Sequence, residues 1–147
     1  MLPITLVICS LFLAKTYSED NSLALMIDEL TSTRVKCASE FLEYYGINMF
    51  GNYLQYYGMW DTSRYLTMLD NCYMNILIQF GFVVTLIIII AIIKMTEVLF
   101  KNKEYSLIIG LVTILIYGLM EIYPYMIAYN VLLFYMGNLI YLKKVKN

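Results

Sequence analysis

Arg34 is the first residue whose type and position could do chemistry. It follows a polar Thr-Ser-Thr stretch and lies in the first turn of a predicted amphipathic helix. The helix macrodipole disfavours a cation there. A guanidinium at a helix N-terminus could serve to bind a phosphate group, because both attract the same anion. The same position also fits an ordinary exposed arginine, or a helix that begins earlier, and spacing alone favours that interpretation.

Asp70 and Asn71 lie at the point where a polar stretch meets a long apolar run. A carboxylate at the edge of hydrocarbon can act as a general base. The alternative is a helix cap, in which either side chain accepts a hydrogen bond from an N–H two or three residues on. The two roles are compatible, and the cap alone is the more common arrangement.

Glu121 lies between two apolar segments, close to Pro124, which predicts an interfacial position. A segment rich in Gly, Asn and aromatic residues, Gly46–Gly58, forms a predicted loop. Such rings can form an interfacial belt at headgroup level. Alternatively, they can form a flat platform for the apolar faces of sugars. Of these two interpretations the interfacial belt is favoured. The aromatic residues in and around this loop include Tyr44, Tyr45, Tyr53, Tyr56, Tyr57 and Trp60.

Composition indicates an integral membrane protein. The 147 residues are 61% hydrophobic and only 14% charged, whereas a soluble domain is about 25% charged. There is no basic patch, so nucleic acid is not an expected partner. Histidine is absent and no zinc-type cysteine spacing occurs, so no metal site is predicted. Cys37 and Cys72 could pair in an oxidising compartment, but two cysteines make no disulfide framework.

The predicted fold is an all-α membrane protein with three transmembrane helices and an N-terminal apolar segment. Runs of about 20 apolar residues are long enough to cross a bilayer. Segment 1–18 could be a partial span, a signal peptide or a buried soluble helix. The predicted segments are the apolar helix 1–18, an external loop 19–73, and a membrane region 74–147 with spans at 74–93, 105–120 and 125–142.

Charge predicts the orientation. Segment 19–73 carries eight acidic and three basic residues, whereas lysines follow the first and last predicted spans. By the positive-inside rule the lysines, including those at the C-terminus, are cytoplasmic and segment 19–73 is external. Within that external segment, Ser22–Leu30 and Ser32–Tyr45 are predicted helices, and Gly46 ends the second.

Three motifs in this order resemble the C-terminal part of Wzy-type polysaccharide polymerases, which join O-antigen or capsule repeat units in bacteria. The first is Leu-Thr-Ser-Thr-Arg ending at Arg34. The second is the Tyr-Gly-Ile-x-hydrophobic-Phe-Gly loop, here 45–51. The third is Leu-Asp-Asn-x-Tyr, here 69–73, followed by Leu77 and Gly81. Glu121 and Asn130 also match positions where the family often has these residue types.

The resemblance implies a glycan-transfer reaction on the outer face of the bacterial cytoplasmic membrane. Its substrate would be a polyprenyl-diphosphate-linked oligosaccharide, and no cofactor or metal is implied. Arg34 and Asp70 would be catalytic, and Arg34, Tyr45, Asn71 and Glu121 would bind substrate. Its partners would be the lipid bilayer and other polysaccharide-assembly membrane proteins.

Two features depart from the family. The family has many more spans, so the resemblance implies a fragment that could be inactive alone. Ser32 and Thr33 occupy a stretch where the family commonly has glycine. The competing interpretation is a small, non-enzymatic membrane accessory subunit.

Overall fold

The computed structural model describes residues 1–17, 21–55 and 68–122, and these residues form six α-helices. Three lie in the N-terminal part of the chain and three follow residue 70. The helices are α1 (Leu2–Thr16), α2 (Ser22–Leu30), α3 (Arg34–Tyr45), α4 (Cys72–Gln79), α5 (Gly81–Lys101) and α6 (Tyr105–Tyr117).

The prediction of three transmembrane helices is wrong. Within the described residues only α5 is long and apolar enough to cross a membrane. The predicted span 74–93 is interrupted at Phe80, because Gly81 takes a left-handed backbone conformation with φ 85°. The predicted span 105–120 is a 13-residue helix, about 20 Å long. The predicted span 125–142 and Asn130 lie outside the described residues.

The N-terminal segment predicted at 1–18 forms α1, which contacts α3, α4, α5 and α6. Two apolar clusters include residues of α1. The first joins α1, α3 and α4 through Ala14, Ala38, Phe41, Leu54, Leu69, Met74 and Ile78. The second joins α1, α4, α5 and α6 through Leu6, Tyr73, Leu99, Ile108, Leu111 and Leu115. Part of the segment predicted as an external loop therefore packs directly on the apolar helices.

The helices predicted before residue 46 form where local signals place them. Helix α2 has the predicted bounds, and the Asn21 side chain caps it by accepting from two backbone N–H groups. Helix α3 starts at Arg34, two residues later than predicted, because Ser32 and Thr33 both have positive φ. It ends at Gly46, as predicted, with a left-handed φ of 65°.

The predicted apolar face of α3 is also confirmed. Val35, Ala38 and Phe41 are buried, at the spacing of one helical face. Leu42 and Tyr45 are half-buried against the first cluster. This packing fixes the rotation of α3 and so the direction in which its first residue points.

Candidate functional site

Arg34 lies between two carboxylates that come from distant parts of the chain. Its Nη2 donates to Glu121 Oε1 across 2.8 Å. Its Nε lies 3.5 Å from Asp70 Oδ2. Its Nη1 donates to the Thr31 carbonyl at 3.3 Å. We call Arg34, Asp70 and Glu121 the arginine cluster, and all three side chains are about four-fifths buried.

The Nε–Asp70 contact is an ion pair without the geometry of a hydrogen bond. Among the described residues, Nε of Arg34 is the buried side-chain nitrogen that makes no hydrogen bond. A buried donor of this kind gains free energy from any acceptor that reaches it. The guanidinium is thus anchored at Nη2 and retains bonding capacity at Nε, on the side that faces Asp70.

Arg34 owes its position to the turn between α2 and α3. Thr33 N donates to the Asp28 carbonyl at 2.9 Å, and Thr33 makes no side-chain cap for α3. The cap comes instead from the buried Asp28 carboxylate, whose Oδ1 accepts from Lys36 N at 2.8 Å. An anion at this helix end also complements the macrodipole. Helix α3 thus begins with Arg34 in its first turn.

Asn71 ties the start of α4 to two other elements. Its Oδ1 caps α4 by accepting from Tyr73 N at 3.1 Å and Met74 N at 3.0 Å. Its Nδ2 donates to Ser10 Oγ and to the Leu119 carbonyl, each at 3.2 Å. These four bonds use the full capacity of the amide. Asn71 is therefore the helix cap, and its neighbour Asp70 is left to face Arg34.

A second link brings Glu121 to the same place. Cys72 N donates to the Gly118 carbonyl at 2.9 Å, so the turn that ends α6 lies against the start of α4. Glu121 follows that turn directly. Backbone bonding between α4 and the end of α6 therefore places the carboxylates of Asp70 and Glu121 on either side of one guanidinium.

The cluster adjoins a small cavity of about 160 Å³. Arg34, Thr31 and Asn71 contribute polar atoms to it, and apolar side chains of α1 and α3 form most of the remaining wall. A larger, mostly apolar cavity of about 410 Å³ begins at Cys72 and Tyr73 and extends along α5 as far as Met95. Two mostly apolar cavities, the smaller with Arg34 in its wall, thus adjoin the start of α4.

Tyr45, also predicted to bind substrate, lies elsewhere. It ends α3, and the twelve-residue helix separates it from Arg34 by about 16 Å along its axis. Its hydroxyl donates to the Gln55 carbonyl and accepts from Gln55 N, and its ring stacks on Phe41. The structure therefore brings together Arg34, Asp70, Asn71 and Glu121, but not Tyr45.

Two residues that help to position the site were not predicted from the sequence. Asp28 caps α3 from the preceding helix, and Ser10 of α1 accepts from Asn71. Both are buried polar residues in otherwise apolar surroundings. An acid eight residues ahead of the capped N–H is beyond the range of ordinary capping patterns, so only its position inside the apolar helix α2 could have drawn attention to it.

Cys9, Cys37 and Cys72 all lie within the described residues, and none of them forms a disulfide bond. Burial raises the pKa of the Cys37 thiol, and the carboxylates of Glu40, Asp28 and Asp70 raise it further. A hydrogen bond with Thr33 acts in the opposite direction. Across residues 1–17, 21–55 and 68–122, no three metal-binding side chains converge.

No protein-family model, curated protein or solved structure matches this chain.

Proposed function

We propose that the chain is part of a membrane enzyme that joins polyprenyl-diphosphate-linked oligosaccharides into a glycan. The observation that carries the proposal is the arginine cluster. The resemblance to Wzy-type polymerases selected Arg34 from one motif, Asp70 and Asn71 from another, and Glu121 as a separate matching position, and these four residues adjoin one another in space. Convergence of this kind is expected of a site and is not required by any single motif.

In the proposed reaction Arg34 binds the diphosphate of the lipid carrier. The diphosphate takes the bonding capacity left at Nε, while Glu121 holds the opposite edge of the guanidinium. A fork of rigid donors suits phosphate oxygens better than the point charge of lysine. The neighbouring carboxylates repel an anion, so binding requires Asp70 to turn away from Nε, where it makes no hydrogen bond.

Asp70 then faces the acceptor sugar. The acceptor hydroxyl oxygen attacks the anomeric carbon of the growing chain, and the bond from that carbon to the diphosphate oxygen breaks. The diphosphate leaves with the electron pair, stabilised by Arg34, and Asp70 accepts the hydroxyl proton. Asn71 serves as a positioning residue, because its hydrogen bonds are used within the fold.

The proposal places α5 across the bacterial cytoplasmic membrane, with the arginine cluster on the outer side. Helix α5 has the length and composition of a membrane-spanning helix, and most of its side chains are not buried within the protein. Lys94, Lys101 and Lys103 follow its uncharged part, as the positive-inside rule expects of the cytoplasmic end.

A binding experiment tests the proposed function. The full chain in lipid nanodiscs is titrated with farnesyl diphosphate, and with farnesol as a probe that lacks the diphosphate. We expect the diphosphate to bind more tightly than the alcohol. We expect Arg34→Ala to weaken diphosphate binding about 10- to 150-fold, the range for a hydrogen bond to a charged group. Lys36→Ala, which removes a cation from the same helix, should bind as the wild type does.

A second candidate function follows from the charge of the cluster. One cation faces two carboxylates, and the same arrangement is expected if these ion pairs serve only to hold α3, α4 and the end of α6 together. In that case the chain is a small, non-enzymatic membrane subunit. Equal affinity of the wild type and Arg34→Ala for farnesyl diphosphate, together with lower thermal stability of the variant, would favour this function and contradict the first.

A further inference from the structure

The junction between α4 and α5 is a break in an otherwise continuous apolar stretch. Helix α4 ends at Gln79, and α5 begins at Gly81 with φ 85°. A helix end leaves its last carbonyls and first N–H groups without partners inside the helix. In hydrocarbon such groups cost several kcal/mol each, and only bonding to other parts of the protein can remove that cost.

The loop 46–52 supplies partners on the α5 side of the break. Phe82 N donates to the Asn48 carbonyl at 3.0 Å, and Val83 N donates to the Met49 carbonyl at 3.2 Å. Two N–H groups in the first turn of α5 therefore bond to backbone carbonyls of a distant loop.

The same loop supplies partners on the α4 side. Asn52 N lies 3.0 Å from the Ile78 carbonyl and 3.2 Å from the Gln79 carbonyl. The Asn52 side chain adds a bond from Nδ2 to the Ile78 carbonyl at 3.0 Å. One five-residue stretch, 48–52, thus bonds to both sides of the break.

Two glycines allow this backbone-to-backbone contact. Gly51 has φ 86°, and a Cβ there would lie 2.1 Å from the Gln79 carbonyl oxygen. A Cβ on Gly81 would lie 2.3 Å from Gly51 N. Any larger residue at either position would push the loop away from the break, so the contact is specific to glycine at both positions.

The length of α5 places the break at membrane depth. From Gly81 to Ile93 the helix carries no charge, which covers about 20 Å of a hydrocarbon layer about 30 Å thick. If Lys94 marks the inner boundary of the hydrocarbon, Gly81 lies about 10 Å inside the outer boundary. Helix α4 turns sharply away from the axis of α5 there, because Cys72 at its start bonds to Gly118 at the end of α6. If α5 crosses a bilayer, the break and the loop bonded to it lie in the outer part of the hydrocarbon layer.

The loop exposes two large apolar side chains beside the polar Asn48. Phe50 is 83% exposed and Met49 is 64% exposed, although both are large hydrophobic residues. They adjoin the exposed Phe82 at the start of α5, through the bond between Asn48 and Phe82. Further along α5, Leu86 and Ile87 are exposed as well. The exposed apolar surface of the loop therefore continues that of α5.

We propose that residues 48–52 form a re-entrant loop that lies in the outer leaflet of a lipid bilayer, with Met49 and Phe50 against the acyl chains. The proposal rests on α5 lying in a membrane, as in the proposed function. It adds that a segment predicted to be external dips into the hydrocarbon and completes the backbone hydrogen bonding of a discontinuous helix there.

Tryptophan fluorescence in vesicles tests this inference. Trp60→Phe removes the only tryptophan of the chain and serves as the background. Single tryptophans are then placed by Phe50→Trp in the loop, Ile87→Trp on the exposed face of α5, and Leu30→Trp at the exposed end of α2. The full chain is reconstituted in phosphatidylcholine–phosphatidylglycerol vesicles, with and without lipids brominated in the acyl chain near the headgroup, and quenching by aqueous iodide is measured in parallel.

The inference expects Phe50→Trp to lose fluorescence to brominated lipid as strongly as Ile87→Trp, and to resist iodide, whereas Leu30→Trp shows the opposite pattern. If Ile87→Trp is quenched by lipid but Phe50→Trp responds only to iodide, the loop lies in water and the inference is overturned while α5 stays in the membrane. Protection of Phe50→Trp from both quenchers would mean a protein partner and would also overturn it. If neither variant is quenched by brominated lipid, both the loop inference and the proposal that α5 lies in the membrane are contradicted.

Discussion

Arg34 and Glu121, 87 residues apart in sequence, are joined by a hydrogen bond of 2.8 Å between Nη2 and Oε1. The bond connects the first residue of α3 to the segment that follows α6. Two chain segments that share no local signal thus depend on one charge-assisted contact, which is shorter and stronger than a neutral hydrogen bond.

The first prediction concerns the coupling between these two residues. In a double-mutant cycle of Arg34→Met and Glu121→Ala, the two changes should be non-additive by about 0.5–3 kcal/mol of unfolding free energy. The reason is that each single variant leaves a charge that is about four-fifths buried without its main partner. Chemical denaturation in detergent measures the four variants. Pairing Arg34→Met with Glu29→Ala on the exposed side of α2 is the control and should give additive losses.

The second prediction concerns the glycine contact at the helix break. Gly81→Ala should destabilise the fold by more than about 3 kcal/mol, because it combines a left-handed φ with a clash against the backbone of the loop. Gly46→Ala is the matched control, since Gly46 has φ 65° but nothing within 4 Å of a Cβ. It should cost only about 1–3 kcal/mol, because its backbone (φ 65°, ψ −171°) disfavours a Cβ but no neighbouring atom clashes with one. Equal losses for the two variants, measured by thermal unfolding in detergent, would show that the loop does not contact the break.

The third prediction concerns the turn before Arg34. Ser32 is exposed and has φ 53°, a conformation that disfavours any residue with a Cβ. Ser32→Gly should therefore raise the unfolding free energy by about 0.5–1 kcal/mol. Glycine relieves the backbone strain, and this gain exceeds the loss that comes from the greater entropy of the unfolded chain. Ser22→Gly in the first turn of α2 should instead lower it. Loss of stability in Ser32→Gly would show that the turn is not strained.

The fourth prediction concerns pH and Cys37. Because burial and neighbouring carboxylates raise its pKa, the thiol should be alkylated by iodoacetamide with a midpoint at higher pH than in the denatured chain. The folded state favours the neutral thiol. Its contribution to stability is therefore complete below the ordinary thiol pKa and is lost as pH rises toward the raised value.

Peptide mapping by mass spectrometry follows Cys37 separately from Cys9 and Cys72. Glu40→Gln should lower the midpoint without returning it to the denatured value, because burial is the larger cause. A midpoint equal to that of the denatured chain would contradict the half-buried position of the Cys37 thiol.

The sequence alone determined the elements whose signals are local. Helix α2 has the predicted bounds, and α3 has the predicted apolar face and end at Gly46, although it starts two residues later than predicted. The sequence also indicated a cap at Asp70 or Asn71, and α4 does begin there. Helix formation depends on backbone bonds over four residues, so nearby residues suffice to predict it.

Only the tertiary structure determined the features that depend on residues distant in sequence. An apolar run such as 74–93 contains no local sign that its helix breaks at Gly81, because the break depends on carbonyls and N–H groups of the loop 48–52. The choice of Asn71 as cap depends on Ser10 and the end of α6, which take both of its donors. The contact between Arg34 and Glu121 likewise exists because packing of α4 against the end of α6 brings the two together, and no spacing along the chain encodes such a distance.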